Sequence, residues 1–327
     1  MNILFIGGTG NISSDCAALL QQRGHKIFVL TRGQSPVPAG YTAVRADCKD
    51  PAALRAAVQG LTVDVVANFI AYDVPDMARD FELFAGRVQQ YIFISTTTVY
   101  IKPPQRLPIT ENEPQGNPFW DYAQKKRACE DWLCARPEFP VTIVRPSHTY
   151  SNRWVPNVVS SAGYTLAARF EAGKPVFVPG NGDNLWTLTA TSDFAVGFAG
   201  LVGNSRAIGE AFHITSDERL PWIEIYGEIA AAVGAPAPVI EKIPVEFICE
   251  RFPQLIVPLK GDKANPGIFD NTKIKQFVPE FQCRKKFAVG IRESVNWMRQ
   301  HPEDRKINTQ ADALIDQVVA AWRAAGN

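Results

Sequence analysis

The first thirteen residues constrain this chain more than any other stretch. Residues 2–6 read N-I-L-F-I, an apolar run with the length of a fully buried strand. Gly7-Gly8-Thr9-Gly10-Asn11-Ile12-Ser13 follows, and a helical pattern starts at Cys16. A glycine-rich turn between a strand and a helix is the setting in which such a turn cradles a pyrophosphate. Gly7 and Gly10 let the backbone turn tightly and approach a phosphate with no Cβ in the way. The helix that follows aims free N–H groups and the positive end of its dipole at that phosphate. Gly7, Gly8, Thr9, Gly10, Asn11 and Ile12 are therefore candidate cofactor contacts. A glycine-rich connection that binds nothing would look the same in isolation, and only its flanks separate the two.

The rest of the first half repeats the strand–helix alternation. Strands are expected at 26–30, 41–46, 63–70, 90–95 and 141–144, with helices at 51–59, 76–84 and 119–133 between them. Such alternation gives an α/β fold, a doubly wound parallel sheet covered on both faces. From Arg145 the pattern loosens, and Pro, Gly, Asn and Trp become frequent. There a helix over 157–170, a strand at 175–178, a helix opening at 192–195 and a returning strand at 211–214 are expected. Ser192 or Asp193 is the candidate cap. Helices at 222–233, 287–299 and 311–324 complete the chain. The division that follows is a dinucleotide-binding domain over 1–150, with a return segment near 185–215. A smaller, interleaved substrate lobe covers mainly 151–327.

Composition removes several function classes. A net charge of +1 over 327 residues gives no electrostatic case for nucleic acid or an anionic membrane as partner. No apolar run reaches spanning length, and residue 1 leads straight into a strand with no signal peptide. Six cysteines without a C-x-x-C pair read as reduced thiols of a cytoplasmic protein. Four histidines far apart in sequence make a metal site a poor reading. A small-molecule substrate remains, and a homodimer is left open.

Three further positions bear on chemistry. Thr31 and Arg32 close the second strand, where an acidic residue would bond the ribose 2′-hydroxyl of NAD. An arginine there suits a 2′-phosphate instead, so the cofactor is NADP or NAD with NADP favoured; an exposed surface arginine is the plain alternative. Ser95-Thr96-Thr97-Thr98 ends the fifth strand, and carboxyl ends of strands border the ligand crevice in open α/β sheets. Tyr122 and Lys126 are four apart and share one helix face. An ammonium beside a phenol lowers its pKa from about 10, and a tyrosine so tuned can exchange a proton with an alcohol. Taken singly, a Tyr–Lys pair is more often a surface helix pair, and a threonine run is more often just strand former.

In this order, the glycine turn, S-T-T-T-V-Y at 95–100, Y-A-Q-K-K at 122–126, Arg145-Pro146 and S-D-F-A at 192–195 resemble the extended short-chain dehydrogenase/reductases, the NAD-dependent epimerase/dehydratase family. The resemblance covers most of the chain and implies a Rossmann-like fold. It also implies a catalytic Thr96–Tyr122–Lys126 triad. Tyr122 would be the acid/base and Thr96 would bond the reacting oxygen. Lys126 would hold the nicotinamide ribose and lower the Tyr122 pKa. Asp47 would meet the adenine amine; a turn residue is the other reading of that aspartate. Three departures narrow the expectation. Ser13 stands where the family has a third glycine, so the turn should fit more loosely. Thr97 and Thr98 replace the Asp and Glu of the dehydratases, which argues against 4,6-dehydration. Asn184-Leu185-Trp186-Thr187 lacks the arginine that holds a nucleotide-sugar pyrophosphate, a role left to Lys260 or Lys263.

Ser95, His148, Trp154, Trp186, Lys260 and Lys263 are candidate substrate contacts, with ordinary lobe packing as the alternative for the aromatic ones. The function expected is an NAD(P)-dependent epimerase or oxidoreductase acting on a secondary alcohol or ketone of a carbohydrate-like substrate. The alternatives are an NADPH-dependent reductase of a non-sugar ketone, and a non-catalytic relative that senses the cofactor or contacts RNA. The Tyr122–Lys126 pair and the near-neutral charge argue against the last.

Overall fold

A computed structural model of the chain describes residues 1–34, 36–159 and 163–326. Its centre is a seven-stranded parallel sheet. The first six strands are β1 (Asn2–Ile6), β2 (Lys26–Thr31), β3 (Thr42–Arg45), β4 (Val65–Asn68), β5 (Gln90–Ile94) and β6 (Val141–Pro146). The strand Ala211–Ile214 adds to β6 at the far edge. The order runs from that edge strand through β6, β5, β4, β1 and β2 to β3. β1 pairs with β2 on one side and β4 on the other, so the chain reverses direction across the sheet at β1. That is the switch point at whose carboxyl side a ligand crevice opens.

The central strands are mostly apolar because helices cover both faces. On one face Phe5, Val29 and Ile92 pack with Leu20 of helix α1 (Ser13–Gln22) and Phe194 and Phe198 of helix Thr191–Leu201. On the other, Leu4, Val66 and Phe93 pack with Leu54, Met77, Leu83 and Cys129 of helices α2 (Pro51–Val58), α3 (Val74–Phe84) and α4 (Asp121–Cys134). Asp50 caps α2, accepting from the amides of Ala52 and Ala53 ahead of Pro51. A third core lies outside the sheet and unites Tyr150, Phe177, Trp186, Trp222, Ile291 and Val318.

Several elements differ from expectation. α1 starts at Ser13 and not at Cys16, and β4 is limited to Val65–Asn68. The helix expected over 157–170 is confined to Thr165–Glu171, with residues 160–162 of that span outside the described residues. Asn157 accepts from the Val159 amide at 2.9 Å, a local turn that competes with a helix, and Gly163 sits at φ +86°. Helix Thr191–Leu201 is not capped by Ser192 or Asp193. The Asp193 carboxylate accepts from the Lys285 amide at 2.8 Å and so ties the helix to a distant segment.

Candidate active site

The crevice begins at the glycine turn. Gly7 adopts φ +83°, and a Cβ there would lie 2.5 Å from Ile70 Cγ2, so only glycine lets the turn close against the segment after β4. Ser13 does not loosen this turn. Its hydroxyl donates to the Gly7 carbonyl at 2.6 Å and accepts from the Gly10 amide at 2.9 Å. A serine thus replaces the third glycine and staples the loop from inside. Asn11 spends its side chain on the second lobe, donating to the Thr149 carbonyl at 3.1 Å and accepting from the Ser151 hydroxyl. That leaves its backbone as the part that can meet a ligand.

A cleft of about 700 Å³ opens over the turn, lined among others by Gly8, Thr9, Gly10, Pro36, Tyr41 and Trp154. Its volume falls within the ~300–1000 Å³ of sites that enclose a sizeable ligand. Beside it, Thr31 accepts from the Gly33 amide at 3.0 Å, and Arg32 is exposed. Arg45, level with Thr31 across the β2–β3 ladder, is exposed as well. Asp47 accepts from the Lys49 amide at 2.9 Å, so one of its oxygens holds the turn into α2.

The second part of the site stands where β5 meets α4. The Thr96 hydroxyl is close enough to the Tyr122 phenol to lower its pKa. Thr96 Oγ1 also accepts from the Thr98 amide at 3.2 Å. The Tyr122 ring lies between those of Trp120 at 5.5 Å and Tyr72 at 6.0 Å. Lys126 reaches under this group. Its buried ammonium donates to the carbonyls of Ile94 at 2.6 Å and Ala71 at 2.7 Å and lies 5.8 Å from the Tyr122 ring centre.

Burial pushes the Tyr122 phenol well up from its ordinary value; Tyr72 adds to this and the Thr96 hydroxyl opposes it. The expected lowering by Lys126 is absent here, because its ammonium is directed at two carbonyl oxygens and not at the phenol. Tyr122 is a protonated acid at neutral pH in this arrangement.

Lys126 itself is held down at about 8, below the ordinary 10.5, chiefly by burial. The sign of the linkage follows. Between pH 8 and 10 the unfolded chain binds more protons at this site than the folded one, so stability rises with pH. Wild type should gain roughly 2 kcal/mol over Lys126→Met across that range. Urea unfolding of both proteins at several pH values reads the difference, and parallel curves would refute it.

A smaller pocket of about 140 Å³ adjoins Thr96, lined by Thr97, Thr98, Ser147, His148, Trp154 and Trp186, with Asp262 and Lys263. It shares Trp154 with the larger cleft. Burial and the Lys263 charge push the His148 imidazole well below its ordinary value, so the ring is neutral. Of the expected substrate contacts, His148, Trp154, Trp186 and Lys263 come together here.

Ser95 and Lys260 do not. The Ser95 hydroxyl is turned into the protein and donates to Glu130 Oε1, since strand alternation points it away from Thr96's side. Lys260, on the π-helical turn Leu259–Lys263, is not among the residues that line the pocket, and its charge acts on the Cys249 thiol. Tyr72, Trp120 and Asn117 were not singled out from sequence. Asn117 donates to the carbonyls of Thr98 at 3.0 Å and Gly261 at 2.8 Å, tying the threonine loop to the pocket's far wall. Tyr72 alone had a signal, since it follows a strand at its carboxyl end.

Residues 3–214 match the NAD dependent epimerase/dehydratase family. The chain belongs to that family. Among curated relatives, the 2′-dehydrokanamycin reductase of Streptomyces kanamyceticus is 27% identical over 87% of this chain and 81% of its own. The chloroplast stem-loop binding protein of 41 kDa b of Arabidopsis thaliana is 25% identical over 75% and 67%. An epimerase of Methanothermobacter thermautotrophicus shares the fold, with a TM-score of 0.75 at 17% identity over 92% of this chain and 93% of that one. Membership of the epimerase/dehydratase family makes the chain one of a group of NAD-dependent enzymes. Among the described residues no helix is long and apolar enough to cross a membrane.

Proposed function

We propose that this protein is an NAD(P)-dependent oxidoreductase or epimerase working on a secondary alcohol or ketone of a compact, sugar-like molecule. The observation that carries the reading is the buried Tyr122 phenol within reach of Thr96, a residue that lines a polar pocket. The glycine turn and its cleft fit a dinucleotide, with the amides at the start of α1 suited to the pyrophosphate. The nicotinamide, when bound, supplies the hydride chemistry. Tyr122 gives its proton to the substrate oxygen in reduction and takes it back in oxidation. Thr96 holds the same oxygen from a second direction. Lys126 fixes the floor beneath the phenol. The nearby reductase relative acts, by its name, on a dehydro compound. The stem-loop binding relative favours an RNA reading, but a net charge of +1 does not supply the basic face this needs.

The reading is tested by incubation with NADPH or NADH deuterated at the transferable position, against free sugars, nucleotide sugars and simple ketones. Deuterium at one secondary carbon of a sugar-like compound is expected. Label appearing only in hydrophobic ketones would overturn the carbohydrate class. A tightly retained NAD in the purified protein, seen by absorbance and fluorescence, would select the epimerase form over the reductase.

The cofactor preference rests on Arg32 and Arg45, which flank the end of β2 where a 2′-phosphate would lie. Titration should give tighter binding of NADP than of NAD by about tenfold, a difference lost in Arg32→Ala. Equal affinities in wild type would leave Arg32 a surface residue.

A further inference from the structure

We propose that the pocket beside Thr96 takes an uncharged, hydroxyl-bearing carbon next to the reacting one, read by Ser147, His148 and Trp154. The reacting unit of the substrate is then a vicinal diol or an α-hydroxy ketone. The inference rests on the oxidoreductase reading for the place of the reaction, but not for the binding event itself.

Three buried polar atoms of residues lining this pocket have no hydrogen-bond partner among the described residues: Ser147 Oγ, His148 Nε2 and Trp154 Nε1. A buried polar group is ordinarily satisfied, and leaving one bare costs a protein dearly. The same chemical groups are satisfied at their neighbours. The indole N–H of Trp186 donates to the Asn265 carbonyl at 2.8 Å, and that of Trp222 to the Lys263 carbonyl at 3.1 Å. Nε2 of His213, the other buried imidazole, lies 2.6 Å from the Tyr100 hydroxyl. The His148 ring is wedged among those of Trp154, Trp186 and Trp222, with centres 6.1, 6.3 and 6.4 Å away, and such packing restrains it from turning to another partner. Three bare groups on one small pocket beside Thr96 point to a ligand that bonds them.

Charge and size narrow the class. Lys263 and Asp262 are the charged residues of the lining, both are buried, and they pair with each other. The pocket is therefore electrically balanced. A carboxylate or phosphate entering it would bring a buried charge with no counter-charge left to meet it. An apolar group would leave all three polar atoms bare. An uncharged hydroxyl does neither. It can accept from the Trp154 indole, which only donates, and can give or take a hydrogen bond with the serine and the neutral imidazole. At ~30 Å³ per water-sized group, the volume of about 140 Å³ holds roughly five such groups. Thr96 lines the same small space, so the hydroxyls that meet Ser147, His148 and Trp154 belong to carbons next to the one whose oxygen Thr96 holds.

The full-length protein, saturated with oxidised NADP and isotopically labelled at its tryptophan indole nitrogens, is titrated by NMR with cis- and trans-1,2-cyclohexanediol and with cyclohexanol. The ring is the same throughout, and one hydroxyl separates the probes. The better diol should bind about tenfold more tightly than the alcohol, as expected when one buried group is otherwise left bare. The Trp154 indole N–H signal, assigned by its loss in Trp154→Phe, should move downfield with that diol and stay in place with the alcohol. His148→Phe and Ser147→Ala should each bring diol and alcohol within about threefold. Equal binding of diol and alcohol to wild type, binding of neither, or a Trp154 signal unmoved by a bound diol would overturn the proposal without any variant. A diol preference that survives all three substitutions would overturn the assignment of these residues. Tighter binding of trans-2-hydroxycyclohexanecarboxylate than of either diol would overturn the uncharged class. Diol-selective binding with no hydride taken from any bound diol would support this pocket and count against the catalytic reading alone.

Discussion

Tyr122→Phe should lower turnover by about 10²–10⁴-fold and leave cofactor affinity nearly unchanged. Burial keeps the phenol protonated, against a smaller lowering by the Thr96 hydroxyl. Removing the phenol oxygen deletes the proton source but keeps the ring between Trp120 and Tyr72. The loss falls on the transition state, so kcat and kcat/KM should fall together. Thr96→Val should have a milder effect, because Thr96 contributes a hydrogen bond and no proton. Stability should barely move in either variant, since neither hydroxyl bonds a buried charge. Single-turnover measurement with deuterated cofactor separates the chemical step from product release. A Tyr122→Phe protein that transfers label at the wild-type rate would remove Tyr122 from the mechanism.

The parts legible in the sequence were those governed by local rules. Apolar runs at 2–6 and 26–30 made strands because the middle of a parallel sheet is buried on both faces. The glycine turn was readable because Gly7 meets a backbone requirement that few residues can satisfy. What escaped depended on long-range partners. Ser13 was read by size, and its hydroxyl proved to be the feature that matters. Ser95 and Thr96 are adjacent and chemically alike, and only the sheet decides that one faces Glu130 and the other Tyr122. Lys260 and Lys263 are only three apart, and the π-helical turn that holds them sets one near Cys249 and the other against Trp186. Asp193 looked like a cap and instead serves Lys285.

The other large effect is expected at Arg145, which organises a buried network behind β5. Its guanidinium donates to both Glu130 oxygens, the shortest of these bonds at 2.5 Å, to the Tyr100 hydroxyl at 2.7 Å and to the Glu111 carbonyl at 2.9 Å. Glu130 also accepts from Ser95 and Gln115. Tyr100 lies 2.6 Å from Nε2 of His213, whose imidazole is held neutral at about 3 by burial and by Arg145. Arg145→Met therefore leaves the Glu130 carboxylate buried without its counter-charge. Breaking such a pair from one side typically costs about 3–5 kcal/mol. At ~2 cal/mol/K of unfolding entropy per residue this corresponds to a Tm lower by roughly 5 °C. The double variant Arg145→Met/Glu130→Met removes both charges and should recover most of that loss, because the uncompensated charge and not the missing contact dominates it. Calorimetric scans of the three proteins decide this, and a single variant within about 1 kcal/mol of wild type would show the pair to be dispensable. Activity then separates stability from positioning. Ser95, held by Glu130, precedes Thr96, so the double variant should fold well and still turn over more slowly, with kcat reduced and cofactor affinity intact. Full activity in the stable double variant would mean that β5 places Thr96 without help from the network.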